Sequence, residues 1–214
     1  MRLSMWIVND WLSNYSPKAS INRGDMTITG VRYIANDNEM NPDYLYIVYE
    51  NSASDSKENR IICVNNTDLI SIKADDIYQI FNEIQQMIEF YNNWETNILQ
   101  AINQESDIHE ILELTVPILK TGVALTDLSH KVLGDAHYRN LEAHELIKGY
   151  LSTEELKIIN EQLRQNVNKR EPYVIHSINT MDIIRNFYSK DDRLIGWFVS
   201  LDGGKAEQDR KSVV

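Results

Sequence analysis

The spacing of hydrophobic positions changes along the chain, and each change predicts a different element. Met5, Ile7, Val8, Trp11 and Leu12 share one side of a helix over residues 4–14, with Ser4 as its N-cap and Pro17 closing it. Met26 to Ile34 alternates and is rich in β-branched residues, which predicts a strand interrupted at Gly30. Residues 44–50, 60–65 and 69–73 predict three further strands. The serine- and charge-rich segment 51–59 has nothing to bury and predicts a solvated loop. Residues 1–73 therefore predict a small N-terminal α/β unit.

From Asp75 the period lengthens. Ile77, Ile84, Tyr91 and Ile98 recur every seven residues, and Ile80, Met87, Trp94 and Ala101 follow each by three, an a/d heptad register. Phe81, Ile88 and Ile102 widen the stripe. Asp75 and Asp76 stand at the positive end, and no Gly or Pro occurs before Pro117. The spacing predicts a helix over 74–105, about 45 Å long at about 1.5 Å per residue. Ile77, Ile80, Ile84, Met87, Tyr91, Trp94 and Ile98 would form the seam of a homodimer. The same period fits a helix packed inside its own domain equally well, and only its length favours a connector.

Residues 106–202 predict a second domain. Asp107-Ile108-His109-Glu110 has the form of a capping box and starts a helix that ends near Gly122, shortened or kinked by Pro117. Gly122 to Leu128 and Val132 to Gly134 predict a hairpin around Ser129-His130-Lys131. Leu141 to Tyr150 has a helical pattern, and the capping box Ser152-Thr153-Glu154-Glu155 opens another helix to Val167. Residues 173–178, 183–188 and 194–201 predict three consecutive strands. The class expected is α+β, with an antiparallel sheet covered by helices on one side. Residues 203–214 form a tail.

Composition narrows the function. At 214 residues with 43% hydrophobic content, two globular domains are expected. A net charge of −11 repels phosphates, and the densest basic stretch, residues 164–170, falls at a helix end where the dipole explains it. A DNA-binding part is not expected within this sequence. Cys63, the single cysteine, lies in an apolar run and fits a reducing compartment. The N-terminus does not read as a signal peptide, and no run approaches the roughly 20 apolar residues of a membrane helix. A cytoplasmic location without membrane contact is expected.

Catalytic signatures are absent: no glycine-rich phosphate loop, no G-x-S-x-G and no H-E-x-x-H occurs. Neither an enzyme nor a cofactor is expected. His109, His130, His137, His144 and His176 do not assemble a metal set by spacing; His137 and His144, two helical turns apart, are too few. Asp75-Asp76, Glu154-Glu155 and Asp191-Asp192 fall at helix starts and a turn, which explains them without catalysis. What remains is Tyr173, His176, Arg185, Phe187, Tyr188 and Trp197 on the late strands. These could line a small-molecule pocket in which Arg185 grips a carboxylate or phosphate. The competing reading is that the aromatics are core and Arg185 sits on a solvated edge.

Several segments taken together resemble the sensory half of PucR-type transcription regulators, a bacterial family named for control of purine catabolism. They are Leu3-Ser4-Met5-Trp6-Ile7-Val8-Asn9-Asp10-Trp11-Leu12, Ile28-Thr29-Gly30-Val31-Arg32, Asn41-Pro42-Asp43-Tyr44-Leu45-Tyr46-Ile47, Val64-Asn65, Asp68-Leu69-Ile70 and Phe90-Tyr91-Asn92-Asn93-Trp94-Glu95. Leu112, Leu114, Gly122-Val123-Ala124-Leu125-Thr126-Asp127, Val132-Leu133-Gly134 and Leu194-Ile195-Gly196-Trp197-Phe198-Val199 resemble a GAF-type sensor domain. The resemblance implies a ligand-sensing, dimerising region that controls a C-terminal helix-turn-helix module, with a small-molecule effector and DNA reached only through that module. The tail at 203–214 lacks the closing helix usual in such domains, so the chain is expected to stop short of the DNA-binding part. The alternative is a dimerisation scaffold with no ligand. Residues 1–214 alone should give no mobility shift with DNA at physiological salt; a retarded band would contradict this reading.

Overall fold

A computed structural model of the chain describes residues 1–34, 40–50, 59–137, 146–147, 150–151, 153–176 and 181–202. It is α+β, as expected, and divides into two compact units, Met1–Thr96 and a second that begins at Asn97. Among the described residues, no helix is long and apolar enough to cross a membrane.

In the first unit, helix α1 (Met5–Trp11) leads through a 3₁₀ turn (Ser13–Tyr15) into a five-stranded sheet. Its strands are β1 (Lys18–Ser20), β2 (Gly30–Tyr33), β3 (Tyr44–Glu50), β4 (Arg60–Asn65) and β5 (Asp68–Lys73), in the order β1-β5-β4-β3-β2. Only β2 and β3 run parallel. Strand β1 is fully exposed and too short to alternate, so hydrophobic pattern could not announce it. Alternation in β4 and β5 turns Ile61, Cys63, Ile70 and Ile72 into one core with Met5, Val8 and Leu12 of the leading segment. Burial pushes the Cys63 thiol up to about 12, which leaves it a neutral core residue rather than a nucleophile.

Helix α2 (Ile77–Asn103) starts on Asp76, whose Oδ1 accepts from the amides of Tyr78 and Gln79 at 2.8 and 3.2 Å. Ile80, Ile84 and Met87 are fully buried in the core of the first unit, and Ile77 and Tyr91 pack at its margin. This corrects the expectation for the heptad stripe: five of the seven seam residues lie against the helix's own sheet, where a second copy cannot reach the buried three without unfolding the unit. Trp94 and Ile98, the other two, are half-buried. An amphipathic helix shows the same period whether it faces a sheet or another helix, so spacing could not separate the two.

Two polar side chains at the β4–β5 turn hold the loops around this core. Buried Asn65 donates from Nδ2 to the carbonyls of Pro42 and Tyr44 at 2.8 and 3.0 Å and accepts from Thr27 Oγ1 at 3.1 Å. Buried Asp68 accepts three backbone amides, from Asn22 (2.8 Å) and Arg23 (3.0 Å) on Oδ1 and from Gly24 (2.7 Å) on Oδ2. Burial alone would raise its pKa, yet these amides and nearby Arg23 together hold it below the usual carboxylate range.

The second unit opens with α3 (Ile108–Glu113), capped by Asp107 Oδ1 on the His109 amide at 3.1 Å, and α4 (Val116–Leu119). The single helix expected up to Gly122 is thus two, broken before Pro117, which sits in the first turn of α4. Strands β6 (Val123–Asp127), β7 (Val132–Ala136), β10 (Tyr173–His176), β11 (Met181–Tyr188) and β12 (Leu194–Asp202) form an antiparallel sheet in the order β10-β11-β12-β6-β7. Helix α5 (Thr153–Gln165) precedes β10.

A short pair, β8 (Leu146–Ile147) with β9 (Tyr150–Leu151), lies where a helix over 141–150 was expected. Gly149 in that run costs about 1 kcal/mol in a helix, so local pairing prevails. The remainder of that expected helix, His144, Ser152, residues 177–178, most of the 51–59 loop and the 203–214 tail lie outside the described residues.

Helical cover is found on both faces of the sheet. Ile159 and Leu163 of α5 pack with Ala124, Val132, Trp197 and Val199, whereas Leu112, Val116 and Leu119 pack with Val123, Leu125, Ala136 and Phe198 on the opposite side.

Two changes test this description. Ile84→Asp should unfold the first unit, seen as loss of cooperative urea unfolding; a folded, merely monomeric variant would show that the residue is not core. Asp68→Ala should lower stability by about 2 kcal/mol at neutral pH, the scale of a hydrogen-bonded charge. Because the folded-state pKa is depressed, the part of that difference that depends on ionisation should be complete above the unfolded carboxyl's value of about 3.9 and be lost as pH falls through the lower folded value.

Candidate functional site

The site forms where α5 crosses the sheet of the second unit. Alternation along β11 points Asp182, Ile184 and Asn186 toward α5 and leaves Arg185 and Phe187 exposed on the other face. The register then carries the α5 face across the sheet: Asn186 pairs with Trp197, and Trp197 with Thr126. Close strand approach is needed here, because a Cβ at Gly196 would lie 2.1 Å from the Thr126 carbonyl oxygen.

Between α5 and these strands lies a cavity of about 20 Å³. Ile159, Leu163 and Ile184 contribute apolar walls, and Thr126, His130, Asp182 and Trp197 contribute the polar ones. It has the volume of a single water-sized group rather than of a whole metabolite. All four polar residues are less than 10% exposed. Trp197 Nε1 is buried and has no hydrogen-bond acceptor among the described residues. An orphaned buried donor costs about 1–3 kcal/mol, so an acceptor brought to it is strongly favoured.

His130 is set by the β6–β7 turn. Asp127 Oδ1 accepts from the Ser129 amide (2.8 Å), the Ser129 hydroxyl (2.6 Å) and the Lys131 amide (3.0 Å), and the Ser129 hydroxyl leads the effects that hold this carboxyl low. The turn places His130 in the left-handed region, φ 63°. Its ring lies flat on the Trp197 indole, centroids 4.8 Å apart and planes within 6°, and Nε2 donates to Asn160 Oδ1 at 2.8 Å.

Polar clamps fasten α5 over the cavity. Gln162 reads both backbone groups of His176, Oε1 accepting its N–H and Nε2 donating to its carbonyl, each at 2.8 Å. Asn186 Nδ2 reaches the carbonyls of Asn166, Val167 and Lys169 just past the helix end, at 2.8 to 3.2 Å. Tyr173 hydroxyl donates to Asn186 Oδ1 at 2.8 Å; burial, then the neighbouring Tyr188, pushes its pKa up to about 12.

Of the six residues singled out from the sequence, only Trp197 lines the cavity. Tyr173 buttresses it through Asn186. His176 is exposed and engages α5 through its backbone, and Tyr188 packs under the Arg170 guanidinium, 3.7 Å from its ring centre. Arg185 and Phe187 lie on the far face, so the anion grip assigned to Arg185 does not reach this cavity. Thr126, His130 and Asp182 were missed. For Asp182 a signal existed: it shares the strand parity of Ile184, which is buried.

No protein-family model matches the chain, and no curated protein matches it. Among solved structures, an extracellular ligand binding receptor from Desulfohalobium retbaense is similar at 13% identity, over 67% of this chain and 28% of that one, with a TM-score of 0.32. This chain spans little more than a quarter of that receptor. At such a level the likeness carries no argument about function.

If Asn186 is the bracket that holds α5, Asn186→Ala should destabilise the second unit by about 2–3 kcal/mol, since it strands a buried tyrosine hydroxyl and several carbonyls, whereas Tyr173→Phe should cost about 1 kcal/mol. Equal effects in chemical denaturation would disprove the bracket.

Proposed function

We propose that the chain is the ligand-sensing region of a cytoplasmic bacterial transcription regulator, not an enzyme, and that its second unit binds a small metabolite beneath α5. The observation that supports this most is that Thr126, His130, Asp182 and Trp197, whose indole N–H is buried without an acceptor among the described residues, line one apolar-walled cavity. The PucR-type and GAF-type resemblance supplies the regulatory context, including a DNA-binding module outside this sequence.

The small volume gives the sensor its mechanism. A ligand larger than one functional group enters only if α5 shifts on the sheet, so the two positions of α5 differ in ligand affinity, which is the requirement for a population shift. Helix α2 then carries the change onward.

A thermal-shift screen of metabolites, begun with purines and their breakdown products, tests the reading, because a ligand that prefers the folded state raises apparent stability by mass action. A hit should lose about tenfold or more in affinity in Trp197→Phe, the scale of about 1.4 kcal/mol for one hydrogen bond. It should also change amide exchange in α5 and α2. A hit indifferent to Trp197→Phe would place binding elsewhere, and unchanged exchange in α2 would end the relay.

A further inference from the structure

The sheet of the second unit is covered unevenly on the face turned away from α5. Leu112, Val116 and Leu119 of α3 and α4 pack there on residues of β6, β7 and β12. Toward β10 and β11 the cover stops: Arg185 and Phe187 are exposed, Phe187 at 51%, beside half-buried Val174 and Ile183, which pair across the two strands. Strand β11 is nevertheless written for cover on both faces. Its outward row of Met181, Ile183, Arg185 and Phe187 is more apolar than its inward row of Asp182, Ile184 and Asn186. A strand meant to keep one face in water shows the reverse.

Charge indicates what covers the bare half. Arg185 stands within the apolar outward row, and among the described residues it has no ion pair or hydrogen bond. Its complement lies on the same face of the same unit. Leu112 turns toward the sheet, which leaves Glu110 exposed on the outer side of α3, with half-buried Leu114 one turn further on. Glu110 also has no ion-pair partner among the described residues. Side chains four apart on a helix stand about 5–6 Å apart, and those two apart on a strand about 6.6 Å. The acid and leucine of α3 therefore match the arginine and phenylalanine of β11 in spacing, charge and polarity. Within one chain they cannot meet: α3 packs on β7, three strands from β11, a separation of about 14 Å at about 4.8 Å per strand.

We propose that a second copy of the chain covers this face, about a two-fold axis parallel to the strands. Such an axis sets the α3–α4 layer of each copy on the uncovered β10–β11 half of the other. Each contact is then made twice, Glu110 to Arg185 and Leu114 to Phe187, as a two-fold interface requires. The raised half of the face fills the hollow half, so the surface is complementary to itself in shape as well as charge. The inference goes beyond the ligand-sensing reading and needs neither the cavity beneath α5 nor the heptad stripe of α2.

Sedimentation velocity of the full chain over a concentration series tests it. The chain should form dimers that weaken with added salt. Arg185→Glu and Glu110→Arg should each raise the dimer dissociation constant about tenfold or more, because each sets like charges face to face. The double variant, which restores opposite charges, should recover most of the wild-type affinity. All three should keep the wild-type circular dichroism and unfolding temperature, since both side chains are exposed. A chain that stays monomeric throughout, a dimer that neither single reversal weakens, or a double variant as weak as the single ones overturns the proposal.

Discussion

Strand register in the second sheet is the constraint on which the candidate site depends. Because side chains alternate along β11, a single choice of parity sends Asp182, Ile184 and Asn186 under α5 and Arg185 and Phe187 away from it. Pairing of Asn186 with Trp197, and of Trp197 with Thr126, extends that choice over three strands. A slip of one residue would exchange buried Asp182 and Asn186 for Ile183 and Arg185 and leave the helix without its bracket. Cavity, clamp and core on that face are one decision about register.

Helix α5 shows how such a face can be covered without being sealed. Its apolar contribution centres on Ile159 and Leu163, and the rest of its attachment is polar, through Gln162 at one edge and Asn186 beyond its end. Hydrogen bonds of that kind add about 1 kcal/mol each, less per residue than a packed aliphatic stripe, so α5 is held less firmly than a helix with a full apolar face would be. By contrast α2 buries Ile80, Ile84 and Met87 completely, and the Asp76 cap fixes its start.

The first unit depends on a different device. Asn65 and Asp68 flank the β4–β5 turn and satisfy backbone groups of residues 22–24, 42 and 44, segments with little apolar surface to anchor them. Two polar side chains there do the work that hydrophobic contacts do elsewhere, and the Asp68 share of it is strongest while its carboxyl is ionised.

Local pattern alone determined much of this protein: the helix at 5–11, strands β3, β4 and β5, the 77–103 helix, the β6–β7 hairpin and the three late strands are all written in periods of two or three and a half. It also put acids at the start of α2 and marked Pro117 as an interruption, though not the division into two helices. Only the tertiary structure decided which surface each period faces. The α2 stripe reads alike against a sheet or a second helix, and the Leu141 to Tyr150 run yields locally to a strand pair at 146–151. On β11 the strand's parity puts Asp182 on one face with Ile184 and Arg185 on the other, but only the packing of α5 makes the Asp182 face the buried one. Periodicity records that a face is buried, but what buries it is set by contacts between residues far apart in the chain.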